Sequence, residues 1–231
     1  MQGASSMRTL APFLALLLAL SAPTPAQANA LCRWTGLCVY ISPGFTLTVV
    51  DAETGKPLPD VYAWAEWVQY GAHGIGGPLM VQDATSNTAG RLDFQRWGPT
   101  LGSRAGLVRG TDPAVILFKP GYVTLLIENA VPLGASEQAT FRGMSRNGET
   151  LRLQPFRGSR AEWVEQLSRF VYPGLSSGVS DSAVEQFRSL YLHRIEVVTV
   201  ELNKLPADFT DAARLQSALG RSAQLFRGGE R

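Results

Sequence analysis

The sequence predicts an all-β sandwich of about seven strands followed by a C-terminal helical segment, α+β overall. Three observations carry this. Between Phe45 and Pro155 the apolar residues alternate in twos, whereas beyond Ser159 they recur at spacings of three and four. The strand patterns are short and separated by Gly- and Pro-containing turns with no helix between them, which argues a sandwich and not a parallel sheet. The stretch Phe45 to Trp64 reads as a strand, a tight polar turn and a second strand.

Residues 1 to 30 carry one positive charge, Arg8, then the apolar run Leu10 to Leu20, then small residues and two overlapping A-x-A sites ending at Ala28 and Ala30. This is the pattern of a secretory signal peptide. The run is too short for a membrane span, which needs about 20 apolar residues. Residues 31–157 are then assigned to the sandwich and 158–231 to the helical segment. Cleavage removes one Arg and no acid, so the formal charge of +2 falls to +1. That charge is dispersed, mostly as single Arg residues, and implies no nucleic acid partner. No transmembrane segment is expected after cleavage, and the destination is periplasmic or secreted.

The only cysteines, Cys32 and Cys38, follow the cleavage sites closely. In an exported chain a disulfide closing a small loop around Trp34 is the favoured reading. Two thiols without nearby His fall short of a zinc set.

Phe45, Leu47 and Val49 alternate with Thr46 and Thr48, the pattern of a half-buried strand. Asp51 can bond its own backbone ahead, Gly55 can take positive φ, and Pro57 removes a ladder donor, so the chain turns before Val61 restarts a strand. Gly71 to Pro78 reads as a flexible loop containing His73. Further strands are expected at 80–85, 91–97, 114–119, 122–128 and 150–155. The long connections 99–113 and 130–148 read as surface loops.

Ser159 to Glu162 is a capping box, and Trp163, Leu167, Phe170 and Val171 give one apolar face. Ser182 to Glu185 repeats the box before Val184, Phe187, Tyr191, Ile195, Val198 and Leu202. A third helix is expected over Thr210 to Phe226. The helices are expected to dock on the sheet, because short amphipathic helices do not persist alone.

The turn residues Val49, Val50, Asp51, Thr54, Gly55, Pro57 and Val61, then Thr88, Gly90, Leu92 and Phe94, then Phe118, Lys119, Pro120, Gly121 and Tyr122 occur in one order. Over residues 45 to 127 the chain thereby resembles the carboxypeptidase regulatory-like domains. The resemblance implies a prealbumin-like Greek key and a non-catalytic accessory role beside enzymes or transporters. It makes Asp51, Gly55, Pro57, Gly90, Pro120 and Gly121 structural turn residues. Family members usually carry Asp just before the middle turn glycine, where this chain has Asn87, Thr88 and Ala89.

Three groups are candidates for chemistry. Gly174, Leu175, Ser176, Ser177 and Gly178 match G-x-S-x-G, but helix and Pro173 precede them and the βα alternation of a nucleophile elbow is absent. Phe156, Arg157, Gly158 and Ser159 look similar to the Tyr-Arg-Gly-Ser motif of hydroxyisourate hydrolases. Thr48, however, stands in the place of that family's strand histidine, and Ser159 is better explained as a helix cap. Tyr62, Trp64 and Tyr70 share one face of a strand, with Trp67 on the other. That face is either sandwich core or a stacking platform for sugars or a partner. His193 reads as a surface or interhelical residue, and zinc peptidase chemistry is not expected.

The expectation is therefore an exported, non-catalytic binding or structural module without cofactors, whose protein or carbohydrate partner lies in the envelope. The alternative is a hydrolase using the prealbumin-like scaffold or Ser176.

Overall fold

The computed structural model describes residues 38–71, 74–102, 106–108, 112–129, 141–171 and 181–227. Its elements are β1 (Val39–Ser42), β2 (Phe45–Asp51), β3 (Tyr62–Gly71), β4 (Gly74–Thr85), β5 (Arg91–Phe94), β6 (Trp97–Leu101), β7 (Gly106–Val108), β8 (Ala114–Phe118), β9 (Leu125–Ile127), β10 (Thr150–Leu153), α1 (Arg160–Val171), α2 (Asp181–Leu202) and α3 (Thr210–Arg227). The chain is thus α+β, with antiparallel and mixed sheets and, among the described residues, its helices at the C-terminal end.

A three-stranded sheet runs β10, β2, β5, with β10 parallel and β5 antiparallel to β2. A five-stranded antiparallel sheet runs β4, β3, β8, β9, and β7 pairs with the far half of β3. Period two dictates what each strand buries. Phe45, Leu47 and Val49 of β2 meet Ala63, Ala65 and Trp67 of β3 and Val115 and Leu117 of β8 in one apolar core between the sheets. The even residues Tyr62 and Trp64 of β3, with Ile116 and Phe118 of β8, face the other way.

That second face is covered by the helices. Leu167 and Phe170 of α1, Tyr191, Ile195 and Val198 of α2, and Leu215, Leu219 and Phe226 of α3 pack with it into a second core. The docking expected from amphipathicity is therefore observed. Ser159 Oγ accepts from Glu162 N at 3.3 Å while Glu162 Oε2 accepts from Ser159 N at 2.6 Å, so the first capping box closes reciprocally. The β-branched run Ile195 to Val200 stays helical because Ile195 and Val198 bury on the α2 face, and packing outweighs a modest propensity cost.

Four sequence expectations need correction. Ten strands occur among the described residues, not about seven. The first strand is not the one at Phe45: β1 begins at Val39, pairs antiparallel with β6, and places Cys38 and Tyr40 in the inter-sheet core. Gly74 to Pro78 belongs to β4 and is not a loop. The β3–β4 ladder carries two register shifts there, and Gly77 at φ 103 absorbs the irregularity, so the stretch looks turn-like while remaining paired. The 99–113 connection contains the end of β6 and all of β7. Of the 130–148 excursion, residues 130–140 lie outside the described residues, and 141–148 is pinned to β1 and β2 by Arg142 N donating to Ile41 O and Gly148 N to Thr46 O, both 2.8 Å.

Candidate functional site

At one end of the two-sheet core, the three turn motifs meet. Asp51 Oδ1 accepts from Glu53 N at 2.9 Å, Thr54 N at 2.7 Å and Thr54 Oγ1 at 3.0 Å, an Asx arrangement that holds the first turn. Asp51 Oδ2 accepts from Tyr122 Oη at 2.9 Å. The Thr54 amide first, then the Tyr122 hydroxyl, lower the Asp51 pKa below its usual carboxylate value. Tyr122 is delivered by a turn in which its N donates to Lys119 O at 3.0 Å, with Pro120 and then Gly121 at φ 81 between them. This is type II geometry.

Gly55 takes φ 69, and Pro57 bridges back to Val50. Gly90, at φ 73, comes so close to β2 that a Cβ would lie 2.3 Å from Val49 O. Asn87 Oδ1 accepts from Ala89 N and Arg91 N at 3.0 Å each, which holds this turn. In these turns the side-chain oxygens of Asp51 and Asn87 accept from backbone amides, and Asp51 also accepts from the Tyr122 hydroxyl.

The aromatic face of β3 is interior. Trp64 is 1% exposed and Tyr62 6%, both beneath the helices, so the open stacking platform considered for Tyr62, Trp64 and Tyr70 is not what the fold presents. The Tyr70 side chain lies outside the described residues. Trp67 points into the inter-sheet core, as parity requires, and meets the Trp97 ring edge-on at 5.3 Å.

Between that face and α2 lie two buried charges that sequence reasoning missed. Glu66 Oε2 accepts from Trp64 Nε1 at 3.3 Å and Oε1 from Tyr191 Oη at 3.4 Å. The Arg194 guanidinium lies over the Trp64 ring at 4.4 Å and the Phe170 ring at 5.0 Å, and donates to Phe170 O. Burial pushes the Glu66 pKa up, with Arg194 pulling it back. Burial likewise pushes Arg194 down to about 10, with Glu66 opposing. The signal was available: Glu66 shares parity with Tyr62 and Trp64, and Arg194 sits three positions from Tyr191 on an apolar helix face.

At the rim of this interface Asp83 Oδ2 accepts from Tyr62 Oη at 3.0 Å and lies 3.1 Å from His193 Nδ1. The Tyr62 pKa is raised beyond its ordinary range, by burial first and Asp83 second. His193 is half exposed and meets the Tyr62 ring edge-on at 5.1 Å. His193 and Glu196 also stand at H-x-x-E spacing on α2. Among the described residues, however, no group of three or more His, Cys, Asp or Glu could hold a metal ion. Both residues line a groove of ≈ 410 Å³ between α2 and the ends of β3, β4 and β8.

His73, Ser176 with its G-x-S-x-G loop, Cys32 and residues 1–30 lie outside the described residues. Cys38 is 2% exposed. Among the described residues, no helix is long and apolar enough to cross a membrane.

No protein-family model matches the chain, and no curated protein matches it. Among solved structures, 3-chlorocatechol 1,2-dioxygenase from Rhodococcus opacus 1CP is similar over 51% of this chain at 15% identity, with a TM-score of 0.28. The match covers 60% of that protein's chain. A likeness at this level bears on neither the reaction nor the ligand of the present protein.

Proposed function

We propose that the protein is an exported, non-catalytic binding module of the carboxypeptidase regulatory-like type, with a prealbumin-like Greek key and a docked helical cap. The observation that supports this reading is the meeting of its three motif blocks: the Asp51 turn, the Gly90 approach to Val49 and the Tyr122 hydroxyl on Asp51 form one end of the two-sheet core. Residues far apart in sequence are used there as that family's motifs would use them. The charged and polar side chains beneath the helices serve packing, and no cofactor is invoked. The partner is a component of the cell envelope, and the mature chain carries a Cys32–Cys38 disulfide.

Expression of the full chain in a Gram-negative host tests the first half. Intact mass of the periplasmic fraction should show cleavage after Ala28 or Ala30 and no alkylation without reductant. An uncleaved cytoplasmic product, or two labelled thiols, contradicts the reading. Mature protein should then co-sediment with an isolated envelope fraction, and failure with every fraction removes the binding role.

A hydrolase is the second reading, favoured by the Asp83–His193 contact, in which a carboxylate orients an imidazole as in a general base. It requires turnover of p-nitrophenyl acetate that both His193→Ala and Asp83→Asn abolish.

A further inference from the structure

The groove beside His193 has a floor and a rim of different chemistry. Its floor is aliphatic and faces outward on α2, where Val200 is 51% exposed with Val197 beside it. Its rim carries Asp60 on one wall and Glu196 on the other, and no Lys or Arg lines it. Of the neighbouring cations, Lys119 Nζ donates to Pro59 O at 2.8 Å, and Lys204 pairs with Glu201, a third carboxylate of the lining, which it satisfies. Asp83 is likewise occupied by Tyr62 and His193. Asp60 holds φ 56, a left-handed backbone that Asp tolerates less readily than Gly, while its N donates to Ser86 O at 3.0 Å.

We propose that this groove docks an extended partner segment in which a Lys or Arg stands next to an aliphatic residue. The aliphatic side chain covers Val197 and Val200, and the cation lies between Asp60 and Glu196. Charge complementarity selects a basic occupant, since Asp60 and Glu196 face the groove with no Lys or Arg in its lining. A sugar is disfavoured because the phenyl and phenol rings of the lining are covered: Phe118 is 1% exposed and Tyr62 6%.

This rests on the binding-module reading and names its surface. The test uses the mature protein and two synthetic peptides, acetyl-Lys-Leu-Lys-Leu-Lys-amide and its Glu-for-Lys counterpart, followed by amide chemical shifts. The Lys peptide should give saturable shifts centred on Val197 and Val200, and the Glu peptide none. Asp60→Asn with Glu196→Gln, both at exposed positions, should weaken binding about three- to ten-fold. Val200→Lys should repel the peptide, and circular dichroism should show both variants folded.

Equal binding of the two peptides, no binding, shifts centred elsewhere, or displacement of the Lys peptide by a glucosamine oligomer overturns the proposal. If the double variant still co-sediments with the envelope as wild type does, this groove is not the docking surface, and the binding-module reading stands without it.

Discussion

At Gly55, Gly90 and Gly121 the backbone lies at φ 69, 73 and 81, and the three substitutions differ in what a methyl group would meet. A Cβ at Gly55 or Gly121 enters open space, so Ala there costs only the left-handed strain, about 1 kcal/mol each. Gly90→Ala adds overlap with Val49 O and should cost clearly more in urea unfolding; a cost no greater than that of Gly55→Ala would contradict this close approach. Gly220, inside α3 with nothing within 4 Å of its would-be Cβ, is the counter-case, and Gly220→Ala should stabilise by about 1 kcal/mol. The Asp51 carboxyl carries a pH signature. Its folded pKa is depressed below the ordinary Asp value, so its contribution to stability is present above the unfolded pKa and is lost as pH falls through the lower folded value. Asp51→Asn should therefore flatten the acid limb of melting temperature against pH. Tyr122→Phe should flatten it partially, since the Thr54 amide remains.

The informative contact among elements is α2 against β3. An apolar helix face and an apolar strand face suffice for docking, but they do not fix the rotation of one on the other. We expect Glu66 and Arg194 to make that choice, because each is tolerable when buried only near the other's charge and the surrounding donors, acceptors and rings. Arg194→Ala leaves the Glu66 carboxylate in an apolar interface and should cost about 3 kcal/mol in denaturant unfolding. Glu66→Leu combined with Arg194→Met should recover most of that loss. A double variant no better than the single one would show that the charges do not compensate each other.

At the scale of the whole molecule, β3 and β8 are buried on both faces and belong to two cores at once. Although the hydrophobic period separates a β segment from a helical one, the two should not behave as independent units. A chain ending after Phe156 would uncover Tyr62, Trp64, Ile116 and Phe118 together, an apolar patch of the kind that drives association. We expect it to aggregate, while the full chain unfolds in one transition with tryptophan fluorescence and helical circular dichroism coinciding. A soluble, folded fragment or two separated transitions would show that the helices are a dispensable cap.

The sequence by itself determined the period of each segment, and with it the helices and the two faces of β2, β3 and β8, because side-chain alternation is a local property. It also determined the turn glycines and the capping box, whose chemistry acts within a few residues. Strands such as β1, β6, β7 and the first half of β4 were not legible, since Gly, Pro and short length mask strand pattern and only a pairing partner makes them strands. Whether Tyr62 and Trp64 formed a binding surface or a core was decided by the tertiary structure alone. The same alternation describes a face covered by solvent, ligand or helix, and here residues some hundred positions downstream supply the cover. That docking also created the groove beside His193, because its walls come from α2 and from strand ends that no local pattern brings together.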